Sequence, residues 1–371
     1  MKLLAPNASR KVSLQAFAVL SICIAASAAQ AQSNLGLPLT NEYPSQPDKE
    51  TIALGHDLFV DMRLSASGSM SCASCHNPAH LFTDGLATAK GRNAQKLTRH
   101  TPSLLNVRFQ RNLFWDGRAS DLIAQARLPL LAPLEHGLAD ENAVAAVVRA
   151  DPVYAQRFTR AFQMSVDKIE IEQIALALAA YERSLVAGDS RFDRYLYANE
   201  AHAMSAAAIR GLALFRGRAQ CASCHSIGER SALLCDDAFH ASPIPLPTSA
   251  LERLPDLVKT IRELKARAAE VELNTLISTQ SDVASLGRFL ATADPKDIGL
   301  FKTPSLRNVA LSGPYMHDGS VASLQEALQL ELYSRGALGP QPLVLTESEQ
   351  SDVVEFLKSL TSVQFESSRS F

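Results

Sequence analysis

The sequence predicts a mostly α-helical chain built from two related halves, and three observations carry that prediction. The pentapeptide CASCH occurs at Cys72–His76 and again at Cys221–His225. The stretch TPSLLNV at residues 101–107 returns as TPSLRNV at 303–309. Helical apolar spacing recurs between these motifs, whereas strand-like alternation is scarce. At 371 residues there is room for two domains, each with its own hydrophobic core.

In chain order the first element is a leader. Lys2, Arg10 and Lys11 precede the apolar run AFAVLSICIAASA, and Ala29-Gln30-Ala31 closes the stretch, which is the layout of a secretory signal peptide. The run is shorter than the ~20 residues that a membrane-spanning helix needs. Residues 1–31 therefore read as a cleaved segment, with the periplasm as destination. Cleavage removes three basic and no acidic residues, taking the formal net charge from −2 to −5, which argues against nucleic acid as a partner. Exported cysteines normally pair. Once Cys23 leaves with the leader, however, four of the five remaining cysteines lie in the CASCH copies and Cys235 stands alone, a poor disulfide framework. Cys235, in SALLCDD, reads as a semi-buried structural thiol.

CxxCH is the covalent attachment signature of c-type haem. Two cysteines one helical turn apart can each add to a vinyl group of one porphyrin, and the adjacent histidine then lies beneath the iron. A four-cysteine zinc site would leave both histidines unexplained, and a thioredoxin-like dithiol would expect a βαβ context. Two covalently bound haem c groups follow, one on Cys72, Cys75 and His76, the other on Cys221, Cys224 and His225. His76 and His225 are the expected iron ligands, and each half reads as a cytochrome c-like unit.

The repeat extends beyond its motifs. At the same offset of 202 positions FWDGRASDLIAQA, from Phe114, faces MHDGSVASLQEAL, from Met316, so Trp115 corresponds to His317. The CASCH copies are only 149 positions apart, leaving 53 extra residues in the second half. They define an insertion at about 226–290, containing PIPLP and a charged, helical-looking run from Ser249 to Leu273. A helix is predicted over 169–187, opened by a capping box of Asp167 and Glu170, and Thr346 with Glu349 repeats the pattern ahead of DVVEFLKSL. The boundary between the halves is placed in SRFDRYLYANEAH (190–202), giving domains of 32–198 and 199–371.

Two CxxCH sites together with LFWDGR (113–118), QARLP (125–129) and FKTPSLRNVALSGPYMHDGS (301–320) resemble the bacterial di-haem cytochrome c peroxidases and the related MauG proteins. The resemblance spans almost the whole mature chain. It implies that the haem on His76 meets hydrogen peroxide and that the haem on His225 accepts electrons from a small cytochrome c or cupredoxin. Trp115, the sole tryptophan, matches the family residue between the haems. Glu135 falls at the catalytic glutamate, and Gln125 and Pro129 at further distal-pocket positions. A buried carboxylate suits proton transfer between the peroxide oxygens, because burial raises its pKa towards neutrality. His317 is expected to bond a propionate or to shape the path between the haems. Dimers are common in the family, so a homodimer is among the partners to expect.

The sequence departs from the family pattern at three places. Arg92 stands where many peroxidases carry a loop histidine that closes the first haem, which predicts an open site. His100 replaces an asparagine that helps to bind calcium alongside the carbonyls of Ser312 and Pro314; histidine suits a hard cation poorly, so calcium is not expected to bind well. The methionine expected fourteen residues after His317 is Glu331. Helical phase favours Glu331 as sixth ligand of the second iron, whereas the local string YSRG favours Tyr333, and Tyr333 is preferred. Either oxygen ligand would stabilise oxidised iron. The leading expectation is a peroxidase, the alternative a MauG-like oxidase acting on a protein substrate, and a non-catalytic di-haem electron carrier is the reading of another class.

Overall fold

Asp48 starts the first helix, α1 (Lys49–Val60), by accepting hydrogen bonds from the N–H groups of Glu50 and Thr51. The computed structural model describes residues 34–39, 47–338 and 342–369, so the predicted leader lies outside the described residues. The first CASCH copy forms a one-turn helix, α2 (Cys72–Cys75). It is followed by α3 (Leu122–Leu131), α4 (Glu141–Arg149), α5 (Pro152–Phe162) and α6 (Ile171–Ser184). Helix α6 begins later than the capping pattern predicts. Asp167 falls in a 3-10 turn, Val166–Lys168, after which Ile169 is extended and fully buried, and the capping box is made by Glu170 with Gln173. Burial of Ile169 thus outweighs the local helix signal.

Helices α1 and α6 cross at Gly55, where a Cβ would lie 1.9 Å from the Ala177 carbonyl oxygen. Leu54, Leu58, Phe59, Ile174 and Leu178 fill the core at this crossing.

Helix α7 (Arg191–Tyr197) leads from the first half into the second, which opens with α8 (Ala206–Arg216), and the second CASCH copy takes up a 3-10 turn, Cys221–Ser223. Strand β1 (Phe239–Ala241) leads into five helices: α9 (Thr248–Glu252), α10 (Leu254–Ala266), α11 (Glu270–Thr279), α12 (Ser281–Ala284) and α13 (Phe289–Thr292). Strand β2 (Leu300–Lys302) pairs antiparallel with β1, His240 opposite Phe301. Helices α14 (Leu324–Leu338) and α15 (Glu347–Ser359) complete the fold, α15 opening on the predicted box of Thr346 and Glu349. Here too the crossing needs a glycine: at Gly211, where α8 meets α15, a Cβ would lie 1.9 Å from the Asp352 carbonyl oxygen. Phe215, Val353 and Phe356 surround it.

The insertion has a core of its own, built on Leu257, Ile261, Leu264, Ile277 and Phe289. Its charged run is not one helix but three, broken at Arg253 and again at Arg267–Ala269, where Ala268 takes a φ of 52°. This layer packs on the first half: Thr98 Oγ1 donates to the Ile277 carbonyl (2.5 Å) and Arg99 Nη2 to that of Ala284 (2.8 Å).

Two backbone hydrogen bonds join the halves reciprocally. The His100 N–H donates to the His317 carbonyl and the Lys302 N–H to the Trp115 carbonyl, both at 2.9 Å. At the 202-position offset His100 matches Lys302 and Trp115 matches His317. The one difference inside the TPSLxNV repeat also has a structural reason. Arg307, which replaces the matching Leu105, makes a buried bidentate pair with Asp193 of α7 (2.9 Å each) and donates to the carbonyls of Ala232 and Gly36. No helix among the described residues is long and apolar enough to cross a membrane.

Two substitutions test these joints. Gly211→Ala should destabilise the holoprotein by roughly 1–3 kcal/mol through overpacking, read as a lowered Tm. Arg307→Leu should cost more, roughly 3–5 kcal/mol, because Asp193 is left buried without its partner; equal Tm values for both variants and the parent would refute this account.

Candidate functional site

In the first CASCH copy the turn of α2 returns the chain so that the His76 N–H donates to the Cys72 carbonyl (2.9 Å). Leu81 and Phe82, both at positive φ, then fold the following loop back. That brings the Phe82 carbonyl to 2.9 Å from His76 Nδ1. A carbonyl can only accept, so Nδ1 carries the proton and Nε2 is left with its lone pair, the arrangement an iron ligand requires. The second copy repeats the device. His225 N–H bonds the Cys221 carbonyl at 2.9 Å, Leu234 has a φ of 56°, and its carbonyl accepts from His225 Nδ1 at 2.8 Å. Burial pushes both imidazoles down, His225 to about 4, which keeps them neutral.

The motif cysteines do not behave as redox or zinc thiols. All five cysteines among the described residues are free. Burial pushes Cys75 up to about 12 and Cys221 to about 11, the reverse of a reactive dithiol. Among the described residues the one group of three metal-ligating side chains that converges is Cys224, Asp236 and His240, which includes a single motif cysteine, so the four do not assemble a zinc site. Cys235 is buried, as predicted for a structural thiol.

One continuous cavity runs from Cys75 and His76 to Cys221 and His225. Its length between the two motifs, its largely apolar wall and the Nε2 lone pairs that the Nδ1 bonds leave on both histidines fit two covalently attached haem c groups. At the first end Trp115, Arg118, Gln125, Pro129 and Glu135 line it. Pro129 lies inside α3 and has no N–H to return to the Gln125 carbonyl. Burial holds the Glu135 carboxyl above its ordinary range, with the Arg118 guanidinium pulling the other way. The neighbouring His136 does not line the cavity. Its Nδ1 donates to the Leu64 carbonyl (2.6 Å) and its Nε2 lies 3.8 Å from Cys72 Sγ, so it ties the Glu135 loop to the first haem motif.

Trp115 is held by its indole N–H, which donates to the His100 carbonyl at 2.9 Å. His100 is buried with Nδ1 committed to the Leu86 carbonyl (2.8 Å). Arg92 is absent from the cavity wall; its backbone N–H bonds the Leu134 carbonyl at 2.6 Å. His317 lines the cavity between the two ends and stacks on Phe301 at 3.8 Å and 17°. Burial and the nearby Arg99 push it down to about 4.

At the second end the preference for Tyr333 is overturned. Helix α14 runs unbroken through Glu331 to Arg335, so Leu324, Leu328, Glu331, Leu332 and Arg335 share the cavity face and Tyr333 points the opposite way, 77% exposed. Glu331 lines the cavity and accepts from Arg335 Nε at 3.0 Å, while Arg335 Nη1 lies 3.5 Å from Cys224 Sγ.

Sequence reasoning missed the cluster under Trp115. The fully buried Asp116 accepts from Arg99 Nη1 (2.6 Å) and from Arg118 Nη1 (2.9 and 3.0 Å), and the two cations hold its carboxyl down at about 2. Its signal was present in LFWDGR, where an acid and a base flank a glycine turn. The contribution of Asn274, Ile277 and Ser278 left no signal, because they lie in the insertion and reach the site only through tertiary packing.

Fold and site together define a c-type cytochrome with two haem sites and a polar pocket at one of them. A sequence profile described as di-haem cytochrome c peroxidase matches residues 49–201. The chain is 36% identical over 331 residues to the methylamine utilization protein MauG of Methylorubrum extorquens, covering 87% of this chain and 81% of that one. It is also 36% identical over 366 residues to the cytochrome-c peroxidase IdrP1 of Denitromonas iodatirespirans, covering 93% and 92%. A solved structure of a MauG-like protein associated with microbial copper homeostasis aligns with a TM-score of 0.67 at 30% identity, covering 88% and 94% of the two chains. The chain belongs to the di-haem cytochrome c peroxidase family, and with its two CxxCH motifs it carries two covalently bound haem c groups.

Replacing Tyr333 with Phe should leave the absorption and midpoint potentials of both haems unchanged, whereas Glu331→Gln should shift the potential of the second haem alone. A potentiometric titration followed optically separates the two outcomes.

Proposed function

We propose that this protein is an exported di-haem peroxidase that reduces hydrogen peroxide to two waters, consuming two protons and two electrons from a small cytochrome c or cupredoxin. The observation that carries this reading is Glu135, a half-buried carboxyl whose pKa desolvation raises, lining the cavity near His76 together with Gln125 and Arg118. When bound, the haem groups supply the redox chemistry, peroxide meeting the one on His76 and donor electrons the one on His225. Glu135 takes the proton from the inner peroxide oxygen and returns it to the outer one. Gln125 and Arg118 hold the departing oxygen through their N–H groups, and Pro129 shapes the wall beside them. Trp115, pinned to His100, lies between the halves as an electron relay.

The two halves descend from one cytochrome c-like unit by duplication. The offset of 202 positions, the paired glycine crossings and the reciprocal His100–His317 and Lys302–Trp115 bonds support this, with domains at 32–198 and 199–371. The leader over 1–31 supports a periplasmic location.

A MauG-like oxidation of a partner protein is the second reading, favoured by Glu331. An oxygen donor at the second haem, in place of a methionine, stabilises oxidised iron and suits a protein that holds oxidising equivalents. A plain electron carrier has no use for a desolvated acid in its cavity wall such as Glu135. Mixing the fully oxidised protein with hydrogen peroxide, without reductant, distinguishes these: a prompt change in haem absorption supports the second reading, while a change only after one-electron reduction supports a gated peroxidase.

Glu135→Gln should lower peroxide turnover by roughly 10²–10⁴-fold with both haems retained. Glu135 acts as a base only when ionised, and burial raises its pKa. Activity in the parent should therefore fall as pH drops through that raised value, above the ordinary glutamate range, and a rate flat down to pH ~4.3 would contradict the assignment.

A further inference from the structure

The inserted layer reaches into the first haem's pocket. Ile277 and Ser278 of α11 line the same cavity wall as Arg118, Gln125 and Glu135. One turn earlier on that helix Asn274 is 5% exposed, and its Oδ1 accepts from Arg118 Nε at 2.9 Å. The remaining contacts of this guanidinium come from the first half. Nη1 donates to Asp116, and the plane lies over the Phe114 ring at 3.6 Å. Asp116 grips one terminal nitrogen, which leaves the fork free to swing about that point; the bond at Nε holds a second point and fixes the plane. The same layer also accepts from Arg99 through the Ala284 carbonyl, so it touches both arginines that hold Asp116.

We propose that Asn274, carried into the first half by the insertion, is a positioning residue for the peroxide chemistry: it fixes the Arg118 guanidinium against Phe114, in the cavity that Glu135 also lines. The inserted layer is thus a working wall of the first haem site. The inference rests on the reading of Glu135 as the proton-transfer group. The groups that act on Glu135 electrostatically are Arg118 and the two motif cysteines Cys72 and Cys75. As thioethers the cysteines bear no charge, so among these side chains Arg118 is the one whose charge favours ionised Glu135. Without Asn274, the Nε–H is buried without an acceptor and the guanidinium turns to find another.

The test compares the parent holoprotein with Asn274→Ala and Asn274→Gln, which keeps an uncharged amide oxygen as acceptor. The carboxylic acid band of Glu135, identified by its loss in Glu135→Gln, is followed against pH by infrared difference spectroscopy. In Asn274→Ala this titration should move up by about 0.5–1 unit as the favourable cation is misplaced. The rate constant for hydrogen peroxide should fall roughly ten-fold and its acid limb should move up in step, with haem content and the second haem's potential unchanged. Asn274→Gln should restore both. An unmoved Glu135 titration in Asn274→Ala overturns the proposal, including the case in which the rate and Tm both fall, since that marks a merely structural residue. If the parent itself does not react with peroxide but the titration still moves, the peroxidase reading fails while the link from Asn274 through Arg118 to Glu135 stands.

Discussion

The two reciprocal hydrogen bonds between the halves, His100 to His317 and Lys302 to Trp115, are the constraint on which the rest of the site depends. Each uses a backbone N–H from one half and a backbone carbonyl from the other, so neither half satisfies these groups alone. They set the segments before the TPSLxNV repeats against the turns that carry Trp115 and His317. The indole N–H of Trp115 then closes the arrangement on the His100 carbonyl. Lys302 is half-buried at this junction, its ammonium donating to Gln110 and to the Asn112 carbonyl, and desolvation pushes it down to about 8. A junction held by main-chain bonds and buried polar side chains is rigid, which suits a protein that passes electrons between two fixed sites.

Around that junction the two haem motifs have the same attachment and unequal surroundings. Both histidines are oriented by a carbonyl from a loop with left-handed residues, and each half has a helix crossing that tolerates only glycine. Beyond this the sites diverge. The first faces Glu135, Gln125 and Arg118, groups able to move a proton and hold a departing oxygen. The second faces the i,i+4 pair of Glu331 and Arg335 on α14, a local charge pair whose arginine reaches Cys224. The proposed division into chemistry at one end and electron supply at the other rests on these neighbours, since the attachment itself is common to both.

The insertion changes how the division into halves is understood. It belongs in sequence to the second unit and has a core of its own, yet it also makes polar contacts with Thr98, Arg99 and Arg118 of the first. The first haem's pocket is therefore assembled from three layers, and two of the arginines beside Trp115 are tied down from outside their own half.

Much of this was legible in the residue order. CxxCH twice, the TPSLxNV repeat and the Thr346 capping box are local patterns: each depends on residues a few positions apart, and spacing alone carries the geometry. Glu135, Gln125 and Trp115 were also located, through the order of motifs. What the tertiary structure alone decided is whatever depends on direction and distant packing. Tyr333 and Glu331 are two residues apart and were near-equal candidates until the unbroken helix turned one to solvent and the other to the cavity. Arg307 differed from Leu105 for no visible reason until Asp193 was seen buried against it. Asn274 carried no motif at all, because its partner Arg118 is 156 positions away. A sequence records which groups exist and their local periodicity; which of them meet across the molecule is fixed by the burial of apolar surface from the whole chain, a sum that no short stretch contains.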